Sequence, residues 1–316
     1  MSGGRVSRRA VLAAGPLLLL AGCAAPRRDE QIVIATGGTK GVYYSYGLAM
    51  ADAISSRLRG AHLKVTPTLG SVDNLQQIGA GTASMAIVAA DAALDAVAGR
   101  AEFDVPIAIR TVARLYDDVI HLVVRANSPI HALRNLPGHR VSLGPSGSGT
   151  ELIARRMLEI GGVGLDPVDV EPLGINESVD ALSAGHIEGF FWSGGLPTVG
   201  VTELSRQVPI RLIDLGDLSP GMRSSYGLSY RRAAVPAGTY GIHDDISTIA
   251  VPNYLVVERI LDDDLVFDIT AGLFANRAAM AHRVPAVGAL DLAQAIYTAP
   301  IELHPGALRF YRSTRG

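Results

Sequence analysis

Two short segments rich in glycine and hydroxyl groups carry the residues of this chain best suited to chemistry. They are ATGGTKGVYY, residues 35–44, and GPSGSGTE, residues 144–151. Each follows an apolar run and precedes an amphipathic one, which predicts a loop between a strand and a helix. A helix N-terminus has unpaired N–H groups and a partial positive charge, and glycine lets an anion approach them. The segments therefore predict anion binding by neutral donors, with a tight turn that holds no ligand as the alternative.

Several side chains near these loops could contact the same molecule. Tyr43 and Tyr44 fall in the first turn of the first predicted helix, where a side chain can cover whatever the loop holds. Ser71 and Asn74 begin the next predicted helix, close to the first loop if the two preceding strands are neighbours. Trp192 ends an apolar run and is either a packed aromatic residue or a lid against the ligand.

Other kinds of site fit the sequence less well. GGTKGVYY is not a Walker loop, because Lys40 is followed by glycine, and GPSGSGTE lacks the GxGxxG spacing of dinucleotide sites. Neither Ser146 nor Ser148 has glycine two residues before and two residues after it, as a nucleophile elbow requires. No histidine stands in HExxH or HxH spacing, so we expect no metal, no cofactor and no catalytic residue. Asp117–Asp118 is interpreted as a solvated turn.

The elements that must position these residues alternate along the chain. Apolar, β-branched runs predict strands at 31–36, 63–69 and 84–89, with helical patterns between them. The same order of strand, glycine loop and helix returns about a hundred residues later, and the predicted strands there span 139–144, 168–174 and 187–192. This alternation predicts an α/β fold with two similar lobes of mainly parallel strands and a ligand crevice between them.

Two long extended segments, 110–129 and 240–257, predict that the chain crosses to the second lobe and returns. The predicted boundaries are therefore 31–118 and 247–316 for lobe I, and 119–246 for lobe II. Helical patterns over 262–276, over 289–297 and after Pro305 complete the chain.

The N-terminal segment predicts export. MSGGRVSRRAVLAAGPLLLLAGCAAP has a basic front, a short apolar core and then small residues. The paired Arg8–Arg9 resembles a twin-arginine signal, and LAGC resembles a lipoprotein cleavage box. Residues 1–23 are thus a predicted lipoprotein signal peptide that ends at Cys23, the lipidation site and the only cysteine, and 24–30 are a tether. We expect an extracytoplasmic protein anchored to the membrane by its lipid.

Composition excludes some functions. The 316 residues are 48% hydrophobic and carry a formal net charge of −2, so nothing indicates the basic face of a nucleic-acid-binding protein.

Five ordered motifs together resemble one family, the TAXI-type solute receptors of TRAP transporters. They lie between residues 31 and 312 and read GTKGVYYSYGLAMADAIS, TLGSVDNLQQIGAGTASMAIVAADAA, GPSGSGTELIARRML, VPAGTYGIHDDISTIAVPNYLVV and LHPGALRFY. The resemblance implies a type II periplasmic-binding fold that closes over a glutamate-like amino acid or dicarboxylate. It also implies a monomer that delivers this solute to a TRAP-type permease.

The resemblance implies ligand contacts from both lobes, at positions that match the family motifs. These are Thr39, Tyr43, Ser71 and Asn74 in lobe I, and Ser146, Ser148, Gly149, Thr150 and Trp192 in lobe II. Family members often carry glutamine where this chain has Ala89 or Ala90, and no arginine of these motifs is in place to anchor a carboxylate. Neutral donors would therefore have to hold the anion. An exported serine hydrolase using Ser146 or Ser148, or a ligand-sensing module for a membrane kinase, are the alternatives.

Overall fold

The structure is a computed structural model that describes Met1 and residues 30–58 and 60–314. The predicted signal peptide, Cys23 and nearly all of the tether lie outside the described residues. The strands are β1 (Glu30–Ala35), β2 (Ala61–Thr66), β3 (Met85–Ala89), β4 (Ile109–Arg125), β5 (Arg140–Ser142), β6 (Asp169–Glu171), β7 (Gly189–Gly194), β8 (Ile210–Leu212), β9 (Arg231–Val235) and β10 (Ile246–Glu258). The α-helices are α1 (Val42–Ile54), α2 (Ser71–Gly79), α3 (Ala90–Ala98), α4 (Gly149–Ile160), α5 (Ile175–Ala184), α6 (Val199–Gln207), α7 (Ser219–Tyr226), α8 (Asp263–Ala275), α9 (Arg277–Arg283) and α10 (Pro305–Ser313).

The strands form one mixed sheet with two similar halves. The order is β2-β1-β3-β10-β4-β7-β5-β6, with β8 beside β4 and β9 beside β10. In one half β1 lies between β2 and β3, and in the other β5 lies between β6 and β7, with parallel pairing in both. We call these halves the first lobe and the second lobe. Their matching order bears out the prediction of an α/β fold with two similar lobes.

The two central strands join the lobes. The 17-residue β4 and the 13-residue β10 pair with each other in antiparallel fashion. β10 also pairs with β3 of the first lobe, and β4 also pairs with β7 of the second. Because both strands run through both halves of the sheet, the lobe boundaries at 118/119 and 246/247 stay a prediction.

Buried apolar side chains fix the helices against this sheet. Ile34 and Met50 are fully buried between β1 and α1, and Phe190 and Leu204 between β7 and α6. Full burial of such a side chain contributes roughly 1.5–3 kcal/mol. The loops at the strand ends are therefore held by rigid elements. No helix in the described part of the chain is both long enough and apolar enough to cross a bilayer.

Two local predictions were wrong. Asp117–Asp118 is not a solvated turn, because both residues lie inside β4 and Asp118 is 2% exposed. Residues 290–297 form turns rather than a helix. The Asp291 carboxylate accepts the backbone N–H groups of Ala293 and Gln294 at 3.0 Å, and such a local bond competes with helix formation.

Candidate functional site

A cavity of about 340 Å³ lies where the parallel strands of both lobes end. Its wall takes residues from the segments that follow β1, β2, β5 and β6, from the carboxyl ends of β3 and β7, and from the middle of β4. Parallel α/β sheets bind ligands at this edge, because the helix N-termini also converge there. The described residues that line it include Gly37, Gly41, Leu69, Gly70, Ala89, Tyr116, Pro145, Leu173, Gly174 and Asn176.

Four helices begin at the cavity wall. The N-cap residues of α1, α2, α4 and α5 are Gly41, Gly70, Ser148 and Gly174, and all four line the cavity. The three glycine caps offer no side-chain acceptor to the first N–H groups of their helices. Unpaired N–H groups and the helix dipoles therefore favour negative charge in this space.

The repeated Leu-Gly pair marks equivalent places in the two lobes. Leu69–Gly70 precedes α2 and Leu173–Gly174 precedes α5, and all four residues line the cavity. At Gly70 φ is +123°, a conformation that residues with a side chain rarely adopt. The sharp turn into α2 therefore requires glycine.

Most of the predicted contact residues meet at this cavity. The predicted residues that line it are Tyr43, Ser71, Ser148, Gly149, Thr150 and Trp192. Thr39 and Ser146 are exposed and are not among the lining residues. Thr39 Oγ1 lies 3.4 Å from Asn176 Nδ2, so it joins the rims of the two lobes.

Asn74 lies beneath the cavity wall and is fully buried. Its Nδ2 donates to the carbonyl oxygens of Thr36 and Ile87 at 2.5 and 2.8 Å, and its Oδ1 accepts from Thr68 Oγ1 at 2.5 Å. These bonds use both amide protons. Asn74 is thus placed to hold the loop after β1 against α2 and β3, not to contact a ligand.

Ser71 and Ser148 have structural hydrogen bonds besides their place on the wall. Ser71 Oγ accepts the backbone N–H of Ala89 at 2.9 Å, which ties α2 to the end of β3. Ser148 Oγ accepts the backbone N–H of Glu151 at 3.1 Å and so caps α4. No histidine is among the described residues that line the cavity, so no histidine is placed there to activate Ser148 as a nucleophile.

Trp192 is a packed aromatic residue whose ring also lies on the cavity wall. Its Nε1 donates to Thr198 Oγ1 at 2.9 Å, which fixes the ring on the second lobe. A Cβ added to Gly41 would lie 3.5 Å from the ring, so the indole covers the start of α1 on the first lobe. It is packed, and it also forms part of the cavity wall.

The sequence analysis missed the carboxylate of Asp118 as a wall residue. Asp118 Oδ2 accepts from Ser193 Oγ at 3.2 Å and from the Tyr43 hydroxyl at 3.4 Å. Burial raises the pKa of Asp118 to about 7, partly offset by the hydrogen-bonding side chains of Asn253, Ser193 and Tyr43. An aspartate pair inside an extended, otherwise apolar segment was the available signal.

The charges on the wall are acidic. Asp118 and Glu177 line the cavity, and among the described residues no lysine, arginine or histidine does. The described part of the chain also contains no group of His, Cys, Asp and Glu suited to a metal ion. The prediction that neutral donors would have to hold an anion therefore agrees with the composition of the wall.

Solved structures of similar fold exist for several proteins. MatC from Rhodopseudomonas palustris with bound malate has a TM-score of 0.58 at 16% identity, over 90% of this chain and 96% of that one. The periplasmic binding protein BugD has a TM-score of 0.57 at 12% identity, over 90% and 93%. XAC2383 from Xanthomonas citri bound to ATP has a TM-score of 0.52 at 15% identity, over 90% and 95%. The chain therefore has the α/β fold of periplasmic binding proteins.

A family model matches most of the chain directly. The model describes the NMT1-like family, and the match covers residues 34–314. It includes both lobes, the two central strands and all the loops that line the cavity. The chain belongs to the NMT1-like family.

Proposed function

We propose that the protein is an extracytoplasmic receptor that binds a small organic anion, a glutamate-like amino acid or a dicarboxylate, and performs no chemistry. The observation that carries the proposal is the convergence of four helix N-termini from two lobes on one cavity. The bound malate of MatC supports it, because a protein of the same fold holds a small carboxylate. The solute would bridge the lobes and favour their closed arrangement.

Hydrogen bonds from the donors on the wall can supply enough free energy for micromolar binding. A hydrogen bond to a charged group contributes roughly 1.5–3 kcal/mol, so four to six of them give a gross energy on the order of 10 kcal/mol. Micromolar affinity requires about 8 kcal/mol. Since ordering the ligand and closing the lobes cost part of the gross energy, both lobes must donate.

Delivery to a TRAP-type permease and anchoring through a lipid on Cys23 complete the proposal. The five TAXI-like motifs support the permease partner, and the LAGC segment supports the anchor. A protein with such an anchor would capture solute beside the membrane and present its closed surface to the permease.

Binding is best tested by filling the cavity. Gly38 lines the cavity, its φ is not positive, and a Cβ added there would meet only Ile175 Cγ2, at 3.8 Å. We expect Gly38→Leu to abolish the thermal shift that acidic amino acids and dicarboxylates produce, with an unliganded melting temperature within ~2 °C of wild type. Alanine at Ser71 or Ser148 is a less specific test of binding than Gly38→Leu, because it also removes a structural hydrogen bond.

Gly288→Leu is the matched control, since a Cβ there meets nothing within 4 Å and the residue is outside the cavity. It should keep the full thermal shift. Native mass spectrometry of the purified mature protein and uptake by vesicles that contain the permease complete the test. A full shift in Gly38→Leu, or no binding by any member of the panel, contradicts the proposal.

A further inference from the structure

One corner of the cavity is built around a buried carboxylate. We call Tyr43, Asp118, Ser193 and Asn253 the acidic corner. Asp118 lines the cavity, is 2% exposed, and its Oδ1 has no hydrogen-bond partner among the described residues. A buried polar atom without a partner is unusual in a folded protein and suggests a missing ligand.

The hydroxyl protons of this corner are used in hydrogen bonds within it. The Tyr43 hydroxyl has one proton, and it donates to Asn253 Oδ1 and Asp118 Oδ2. If the Asn253 amide were turned over, Asp118 would still take this proton. Ser193 Oγ also donates to Asp118 Oδ2. The protons of Tyr43 and Ser193 are therefore used inside the acidic corner. Among the described residues, the donors there without a partner are Asn253 Nδ2, which is not on the cavity wall, and the neighbouring Tyr116 hydroxyl, and neither carries a positive charge.

The helix starts on the wall have the opposite polarity. The N-termini of α1, α2 and α5 present N–H groups without side-chain acceptors. The cavity thus has donors for a carboxylate and, separately, a buried carboxylate without a cation among the described residues. A ligand with carboxylates alone would satisfy the donors and leave the charge of Asp118 without a counter-charge.

We infer that Asp118 determines the specificity of the cavity by receiving an ammonium group of the solute, so that zwitterions are selected over dicarboxylates that lack an amine. This inference depends on the proposed function and decides between the two solute classes that the function leaves open. Asp118 accepts through Oδ1, and Ser193 Oγ supplies a further acceptor, while Ser71 Oγ lies 3.3 Å from the Tyr43 hydroxyl.

The charges around Asp118 support the same assignment. The titratable groups that face it are Tyr43 on α1 and Tyr116 and Asp117 on β4, while β7 and β10 contribute Ser193 and Asn253. Burial raises the pKa of both tyrosines well above 10, so both are neutral at physiological pH. Asp117 forms ion pairs with Arg114 and Arg231. No ion pair joins Asp118 to a lysine or arginine in the described part of the chain, so a bound ammonium would supply its counter-charge.

The sign of the pH dependence separates the two solute classes. An ammonium ligand binds the ionised form of Asp118, so binding weakens as the pH falls below about 7, the pKa of the free site. At pH 5.5 most of the site is protonated, which predicts binding several-fold weaker than at pH 8.5. A dicarboxylate that accepts a proton from neutral Asp118 would instead bind more tightly as the pH falls.

The test compares each amino acid with the same molecule lacking its amine. We would measure Kd by calorimetry for L-glutamate against glutarate and L-aspartate against succinate, from pH 5.5 to 8.5. At pH 8 the wild-type protein should bind an amino acid at least ten-fold more tightly than the analogue that lacks the amine. Its affinity for the amino acid should fall as the pH is lowered. Asp118→Asn should weaken amino-acid binding at least ten-fold and remove the pH dependence. Its affinity for glutarate and succinate should be unchanged or higher.

Asp117→Asn is the control, since the same substitution one residue away removes a charge that is not on the cavity wall. This variant should still bind each amino acid more tightly than the analogue that lacks the amine. Tighter binding of glutarate or succinate by wild type, or tighter binding at low pH, overturns the inference even if Asp118→Asn does not fold. Binding of dicarboxylates alone overturns the inference and leaves the proposed function intact, whereas no binding by any compound overturns both.

Discussion

At the scale of single residues, burial decides which polar side chain is structural and which faces a ligand. Asn74 and Asp118 are both almost completely buried polar residues. Asn74 has used both of its amide protons on backbone carbonyl groups, whereas Asp118 keeps an oxygen without a partner. A polar group whose hydrogen bonds are complete holds the fold, and one that lacks a partner is available to a solute.

We therefore predict that Asn74→Ala damages the fold and not only binding. The substitution leaves the carbonyl groups of Thr36 and Ile87 unpaired, and we expect the free energy of unfolding to fall by about 2–4 kcal/mol without ligand. Urea titration at constant pH measures this change. Thr39→Ala, at an exposed position, is the control and should stay within about 0.5 kcal/mol of wild type. An equally small change for Asn74→Ala would contradict its structural role.

At the scale of elements, an ionic cluster joins α3 of the first lobe to α4 of the second. Arg156 on α4 is 8% exposed and pairs with Asp91 and Asp95 on α3. Tyr230 donates to Asp91 at 2.6 Å and accepts from Arg156 at 3.0 Å. Burial raises the pKa of Asp91, and the neighbouring Arg156 and Tyr230 offset part of this effect. The cluster therefore depends on all its members.

We predict that Arg156→Leu lowers the free energy of unfolding by about 3–5 kcal/mol, because it leaves the buried carboxylate of Asp91 without a cation and that of Asp95 with only the exposed Arg100 among the described residues. Asp91→Asn and Asp95→Asn added to this variant should restore at least half of the loss, since they remove the unpaired charges. Chemical denaturation of the single and triple variants measures both effects. No recovery in the triple variant would show that the cost is lost packing rather than unpaired charge.

At the scale of the whole molecule, the two lobes touch lightly around the cavity. The contacts between the rims include the backbone N–H of Asp73 with the Gly147 carbonyl at 3.1 Å, and Asn176 with Thr39 at 3.4 Å. Lys40 and Glu203 lie 3.9 Å apart and are both exposed, so their attraction is worth little. The continuous strands β4 and β10 hold the lobes together in any state. Opening at the rims, with the Arg156 cluster between α3 and α4 kept, breaks these contacts, so a bound solute can decide the equilibrium.

We predict that solute binding makes the molecule more compact. Small-angle scattering should give a smaller radius of gyration with a saturating ligand than without one, because the ligand adds contacts only in the closed arrangement. Gly38→Leu should show no change on ligand addition, and Gly288→Leu should behave like wild type. Identical scattering curves with and without a bound ligand would exclude closure as the mechanism.

Local sequence patterns determined most strands, most helices and the glycine loops, but not β8 and β9. The pattern at 31–36 corresponds to β1 within one residue at each end, and the helix predicted to begin near Ser71 is α2. The repeated order of elements also predicted two similar lobes, and the strand order bears this out. Such features depend on the periodicity of apolar residues and on turn chemistry, which are local properties. Together with the family resemblance, they selected six residues that line one cavity.

Only the tertiary structure decided which polar residues face that cavity. Asp118 and Asn253 are 135 positions apart, and their roles appear when β4 and β10 pair across the centre of the sheet. Asn74 is a structural residue because its amide protons bind the carbonyl groups of Thr36 and Ile87, which lie far from it in the chain. Burial and completed hydrogen bonds are set by contacts between segments far apart in the chain, and the order of residues alone does not specify them.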